Sequence, residues 1–353
     1  LFGSVSGGTR MVLRGANFLN SSSGLACVFD NSIHVPAKYR SSSLLECSTP
    51  WSIDGQARNI TVSVTYNNQT MHTVYGGTLF QYMSIPIATQ LQPTSGPKTG
   101  GTIITVIGRH FETRGHATCM FGDQKHTTTT ANVINRTHMQ CKTPSNMDTL
   151  GELTLRPSFN GVDRANSSLA FLVYRNPTLK TIVPTEGAAG TVITLLGSGL
   201  FVKTATYKCR FGSSRSNYML TKGTYSGMGR VSCATPTGMH GVVKVDLSLN
   251  DGIDYTDSVA QFQYRHRVRF TTFSPRMGSE TGGTAIQISG SNFYASSNIA
   301  CKFGTITVQP ATFINSTRIE CISPQSIPGT VNLTITINGR TFYGVTEHLL
   351  SYT

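Results

Sequence analysis

The chain has 353 residues, 29 Lys plus Arg against 16 Asp plus Glu, a formal charge of +13, 38% apolar and 13% charged residues, and eight cysteines. That length suits about two to four ordinary domains, and the low charge content excludes a highly charged disordered segment. No apolar run approaches the roughly 18 residues of a membrane helix and no charged-then-apolar leader opens the chain, so any signal peptide or membrane anchor is expected outside it.

Self-similarity organises the rest. RGANFLNSSSGLACVF, IGRHFETRGHATCMFG, LGSGLFVKTATYKCRFG and ISGSNFYASSNIACKFG align on Gly15, Gly108, Gly197 and Gly290 and on Cys27, Cys119, Cys209 and Cys301, with cysteine spacings of 92, 90 and 92. A turn precedes each block (SGGT, TGGT, AAGT, TGGT) and ECSTP, QCKTP, SCATP or ECISP follows it. A period held at three landmarks and about 90 residues long is one small domain, not one turn of a solenoid. The repeats end at FQYM, FLVY, FQYR and LLSYT, which sets four domains at 1–83, 84–174, 175–265 and 266–353.

In chain order, each repeat should open on a proline-containing strand. The first begins instead at LFGSVSGGT, where the fourth reads RFTTFSPRMGSETGGT, and this difference implies a longer parent chain. Next come strands such as TIITVIG, GTVITLLG and TAIQISG, which alternate large apolar with small or polar residues between glycines and prolines. A late hairpin follows: LTLRPSFNGV, VKVDLSLNDGI and NLTITINGR carry Asn-Gly or Asn-Asp-Gly between alternating runs, with Asn67 and Asn68 in the same place of the first repeat. No useful 3.6-residue periodicity occurs, so each repeat reads as an all-β sandwich of about seven strands. The junctions FLVYRNPTLKTIVP and FQYRHRVRFTTFSP leave almost no linker, which predicts a stiff, extended rod.

The cysteines fall two to a repeat with no CxxC pair. One pair per independently folding domain leaves Cys27 to Cys47, Cys119 to Cys141, Cys209 to Cys233 and Cys301 to Cys321. Each closure contributes about 3 kcal/mol in the chain-entropy model, and such bonds persist outside the cytosol. Asn-x-Ser/Thr sequons at Asn20, Asn59, Asn68, Asn135, Asn166, Asn315 and Asn332 point the same way and predict N-linked glycans. Asn135 and Asn315 stand out, because both sit just before the second cysteine strand, in INRTHMQC and INSTRIEC. The expected location is extracellular or cell-surface, reached through the secretory pathway.

The order P-x-x-G, GGT, alternating strand, G-x-x-F, C-x-F-G and C-x-(S/T)-P resembles the IPT/TIG domain, an immunoglobulin-like sandwich found in tandem in plexins, the hepatocyte growth factor receptor family and fibrocystin-like surface proteins. The resemblance spans the whole chain and implies four tandem immunoglobulin-like β-sandwiches with one disulfide each. Departures are Asp30 after CVF in the first repeat, the single Gly190 before Thr191, and an insert, SSRSNYMLTKGTYSGMGR, before Cys233, which is the expected place for a repeat-specific contact. Intracellular members bind DNA or dimerise. Here the cysteine pairs match the cell-surface branch, and the charge is spread as +2, +3, +5 and +3 over the four repeats, so nucleic acid is not an expected partner.

Arg265, His266, Arg267 and Arg269 form the densest basic cluster. A strand there would align Arg265, Arg267 and Arg269 on one face, either as a charged edge that discourages sheet pairing or as a site for a sulfated glycan or acidic partner. Asp251, Asp254 and Asp257 could supply calcium ligands but lack EF-hand spacing. His110, His116 and His126 are the only near grouping of histidines. Trp51 reads as a strand-end packing residue. HExxH, GxSxG and paired catalytic carboxylates are all missing from the sequence, so no enzyme activity and no cofactor is expected. The expected role is a stalk or adhesive segment of a larger surface protein, acting by spacing and by contacts with other extracellular proteins or with itself. The alternatives are a plexin-like or growth-factor-receptor-like ectodomain and a subunit of an extracellular or ciliary-surface filament.

Overall fold

The computed structural model describes residues 1–20, 24–66, 71–72, 78–112, 116–122, 127–165, 167–202, 205–213, 217–305, 307–344 and 348–353; Asn67, Asn68, His126, Asn166 and part of the insert before Cys233 lie outside them. The chain forms two compact units, Leu1–Arg175 and Asn176–Thr353. Among the described residues there are strands and turns but no helix, and each unit holds two sandwiches.

The second sandwich shows the plan. One layer runs Ile87–Gln92, Ile103–Arg109, His138–Lys142 and the distal half of Thr127–Asn135; the other runs the proximal half of that strand, Thr118–Phe121, Gly151–Ser158, Leu169–Tyr174 and Ser95–Pro97. Thr127–Asn135 therefore passes from one layer to the other. Ser95–Pro97 joins the second layer parallel to Leu169–Tyr174, while the strands around it are antiparallel. The third and fourth sandwiches repeat this order. The first has Phe2–Ser4, Thr78–Met83, Asn59–Thr65, Ala26–Phe29 and Ile33–Pro36 in one layer, and Arg10–Arg14, Leu44–Ser48 and Lys38–Ser41 in the other.

Alternation decides which residues fill the core. In Ile103–Arg109, Ile104 and Val106 are fully buried and Ile103 is exposed. The inward pair packs with Phe121, Leu155 and Phe171, as the period of two along a strand requires. Disulfides Cys27–Cys47, Cys119–Cys141, Cys209–Cys233 and Cys301–Cys321 bridge the layers with Cα atoms 6.2 to 6.5 Å apart, and every sulfur is buried.

The turn motifs have a mechanical reason. Gly100 has φ of 73° and lies against the backbone carbonyl of Pro144, so a side chain there would collide with it. Thr102 N–H then donates to Thr143 Oγ1 at 3.0 Å, and Thr143 N–H donates back to the Thr102 carbonyl at 2.9 Å. GGT and C-x-(S/T)-P are thus two halves of one contact, repeated at Thr9 with Thr49 and at Thr284 with Ser323.

Two expectations need correction. The Asn-Gly stretches of the second and third sandwiches do not close tight hairpins; ten residues separate Gly151–Ser158 from Leu169–Tyr174. The reason is local: Asn160 Oδ1 accepts the N–H groups of Val162 and Asp163 at 3.0 and 2.8 Å, so the side chain, not a cross-strand pair, closes the turn. Nor do Arg265, Arg267 and Arg269 share a strand. Strand Gln261–Tyr264 ends before Arg265 and the next strand, Arg269–Ser274, opens at Arg269, so Arg265 and Arg267 lie in the connection, where Val268 turns inward to the fourth core.

Candidate functional site

Within each unit the Asn-Gly loop of the later sandwich reaches the opening turn of the earlier one. In the first unit Asp163, three residues after Asn160, accepts the Thr9 hydroxyl at 2.6 Å and the Ser4 N–H at 3.2 Å, while Asn160 Nδ2 holds the same carboxylate oxygen at 2.9 Å. Phe159 from this loop packs against Phe2, their rings 5.9 Å apart. In the second unit Asn338 Oδ1 closes its own loop by accepting the N–H groups of Arg340 and Thr341, and Asn338 Nδ2 donates to the Glu186 carbonyl at 3.3 Å. Arg265 completes that joint: its Nε donates to Glu186 Oε2 at 3.0 Å, and its guanidinium lies 4.9 Å from the Tyr294 ring centre. Burial, with the Glu186 charge adding to it, drives the Tyr294 hydroxyl far above the ordinary phenol range.

Arg267 and Arg269 serve differently from Arg265. Two open clefts of the second unit, of about 660 and 710 Å³, share Arg267, Phe342 and Tyr343 as a common wall. Arg269 and Arg276 face the first cleft and Arg340 the second. Burial raises the Tyr343 hydroxyl above its usual range and the nearby positive charge of Arg267 opposes that rise. Arg276 and Arg340 were invisible to sequence reasoning as members of this group, since each is an isolated basic residue in a turn; the pairing of Phe342–Tyr343 with Gly329–Thr336 folds back the turn that carries Arg340, and the turn after Arg269–Ser274 places Arg276 in the first cleft.

The remaining candidates separate. Asp251 pairs with Lys208 at 2.8 Å, Asp254 accepts Asn250 Nδ2 at 2.8 Å and Asp257 pairs with Lys244 at 3.0 Å, so the three carboxylates serve three different partners. Trp51 is 70% exposed in a loop and does not pack at a strand end, which corrects that expectation: the CSTP turn points the following residue outward. Asn20, Asn59, Asn135 and Asn315 are exposed, and Asn332 is half-buried inside a strand. Asn135 and Asn315 share one geometry, each side-chain oxygen accepting the N–H and hydroxyl of the sequon threonine at 2.9 and 2.8 Å. In the repeat-specific insert, strand Asn217–Gly227 presents Tyr218, Met219 and Leu220 to solvent. A buried pair had no sequence signal: Asp246, 1% exposed, accepts Arg210 Nη2 at 2.8 Å, while Arg210 lies 3.9 Å over Tyr255.

The sequence pattern of the IPT/TIG domain matches residues 1–82, 86–172, 177–264 and 269–352, and the chain belongs to this family. It is 26% identical over 281 residues to Fibrocystin-L of Mus musculus, covering 77% of this chain and 6% of that protein. It is 28% identical over 238 residues to Plexin-A4 of Homo sapiens, covering 63% of this chain and 12% of that one. Among solved structures, the Plexin A4 full extracellular region aligns at a TM-score of 0.32 and 14% identity, over 100% of this chain and 40% of that one. The chain thus spans a small part of the length of these relatives. With a buried disulfide in each of the four sandwiches, it is an extracellular chain.

Proposed function

We propose that the chain is a non-enzymatic spacing and contact segment of a larger surface or secreted protein, built from domains bounded near residues 83, 174 and 265. The observation that carries this reading is the recurrence of a hydrogen-bonded joint: the Asn-Gly loop of the later sandwich docks on the opening turn of the earlier one in both units. A joint of this kind sets the angle between neighbouring domains, so surfaces carried on them are presented in a defined orientation. Partners are other extracellular proteins or further copies of the chain, with sugars on the exposed sequons keeping other faces soluble. Sedimentation of the full chain across a hundredfold concentration range, together with binding to intact cells, tests the adhesive part. Self-association or saturable cell binding supports it; a monomer at every concentration that binds no cell overturns it. The similarity to Plexin-A4 favours a second reading, a receptor ectodomain, which a signalling domain elsewhere in the parent gene would support.

A further inference from the structure

Five arginines, Arg10, Arg40, Arg58, Arg210 and Arg265, form ion pairs with carboxylates. Among the described residues none of Arg267, Arg269, Arg276 and Arg340 meets an acidic side chain, and neither cleft has one in its lining. Gathering like charges around concave surfaces raises the local potential and disfavours the folded state unless an anion answers it. The clefts have the volume of ligand sites. Lys302 lies 5.4 Å from the Phe342 ring, adding a fifth cation beside the shared wall.

We propose that these clefts bind a sulfated polysaccharide chain. The guanidinium fork matches the oxygens of a sulfate or carboxylate and gives shorter, stronger hydrogen bonds than a neutral donor. Arginines distributed over two adjoining clefts suit a linear polyanion with charge at intervals better than a single compact anion. Phe342, 41% exposed, offers an aromatic surface to the apolar face of a sugar ring between the charged positions. Strand addition by an acidic peptide is disfavoured at this place. Arg269–Ser274 ends its sheet, but its edge carries a bulge between Phe270 and Thr272, and His348 Nε2 lies 3.2 Å from the Thr271 carbonyl that an incoming strand would need. The extracellular location separates the site from nucleic acid.

The test uses the full chain with heparin oligosaccharides as probe, measured by surface plasmon resonance over a salt series. The double variant Arg267→Ser/Arg340→Ser should lose affinity by about tenfold or more and flatten the salt dependence, whereas Arg14→Ser/Arg136→Ser, equal in charge change and in the first unit, should lose about twofold or less. Phe342→Ser should weaken binding with the salt dependence retained. In the unaltered chain, heparin should protect Arg267 and Arg340 from phenylglyoxal more than Arg14 and Arg136, a readout independent of how the variants fold. Equal losses from both double variants, or no selective protection, would reduce the binding to net charge and overturn the site. Duplex DNA or polyglutamate of matched charge binding more tightly than heparin, with the same variant sensitivity, would overturn the assignment to sulfated polysaccharide.

Discussion

In the first unit the Asn-Gly loop delivers a carboxylate, Asp163, to the opening turn of the neighbouring sandwich; in the second it delivers an amide, Asn338, to the Glu186 carbonyl. The first joint concentrates its polar energy in one anion that accepts from Thr9, Ser4 and Asn160. The second spreads it over a weak amide bond, the exposed Glu186–Arg265 pair and the Arg265–Tyr294 contact. One backbone loop therefore supports two chemistries: in the first unit a residue after the Asn-Gly pair makes the contact, and in the second the asparagine of the pair makes it itself. A concentrated joint breaks at one position, and a distributed one resists single changes.

Removing the partner of a buried charge should have the largest effect. Asp246→Ala leaves Arg210, only 14% exposed, without its carboxylate inside the third sandwich, and should cost about 3–5 kcal/mol. Calorimetry should show the transition of the second unit falling while that of the first stays in place; a shared shift would show that the units do not unfold separately. Asp163→Ala removes three accepted hydrogen bonds, one of them from the backbone, and should cost about 2 kcal/mol, seen as faster hydrogen exchange at the Ser4 amide. Asn338→Ala should cost the joint itself less, about 1 kcal/mol or under, since its bond to Glu186 is long and Arg265 remains. Equal costs at the two positions would erase the contrast.

The smallest predicted effect concerns acid. Glu46 sits between Arg10 and Arg40, and the hydrogen bond from Arg10 foremost, then that from Arg40, holds its carboxyl down at about 2. Its folded value lies below the unfolded value of about 4.3, so its contribution is present above that unfolded value and is lost as pH falls toward 2. Glu320 occupies the same repeat position in ECISP, and no ion pair with it occurs among the described residues. Acid titration of the first unit should therefore flatten between about pH 4.3 and 2 in Glu46→Gln, with Glu320→Gln serving as the comparison in the second. NMR of the Glu46 carboxyl carbon checks the midpoint directly.

The sequence by itself determined the repeat, the all-β class and the family, because these rest on short-range rules: alternation along strands, glycine where φ is positive, and pairs of cysteines in register. The GGT and C-x-(S/T)-P motifs were legible as separate turns, while their mutual contact through Thr102 and Thr143 needed the two strands brought side by side. Tertiary structure alone decided the functional candidates. It divided the basic cluster, sending Arg265 to Glu186 and Tyr294 and leaving Arg267 and Arg269 beside Arg276 and Arg340 from later turns. It also buried Asp246 and exposed Trp51. Charge and exposure at a site are sums over neighbours remote in the chain, and a linear reading of residues does not contain those neighbours.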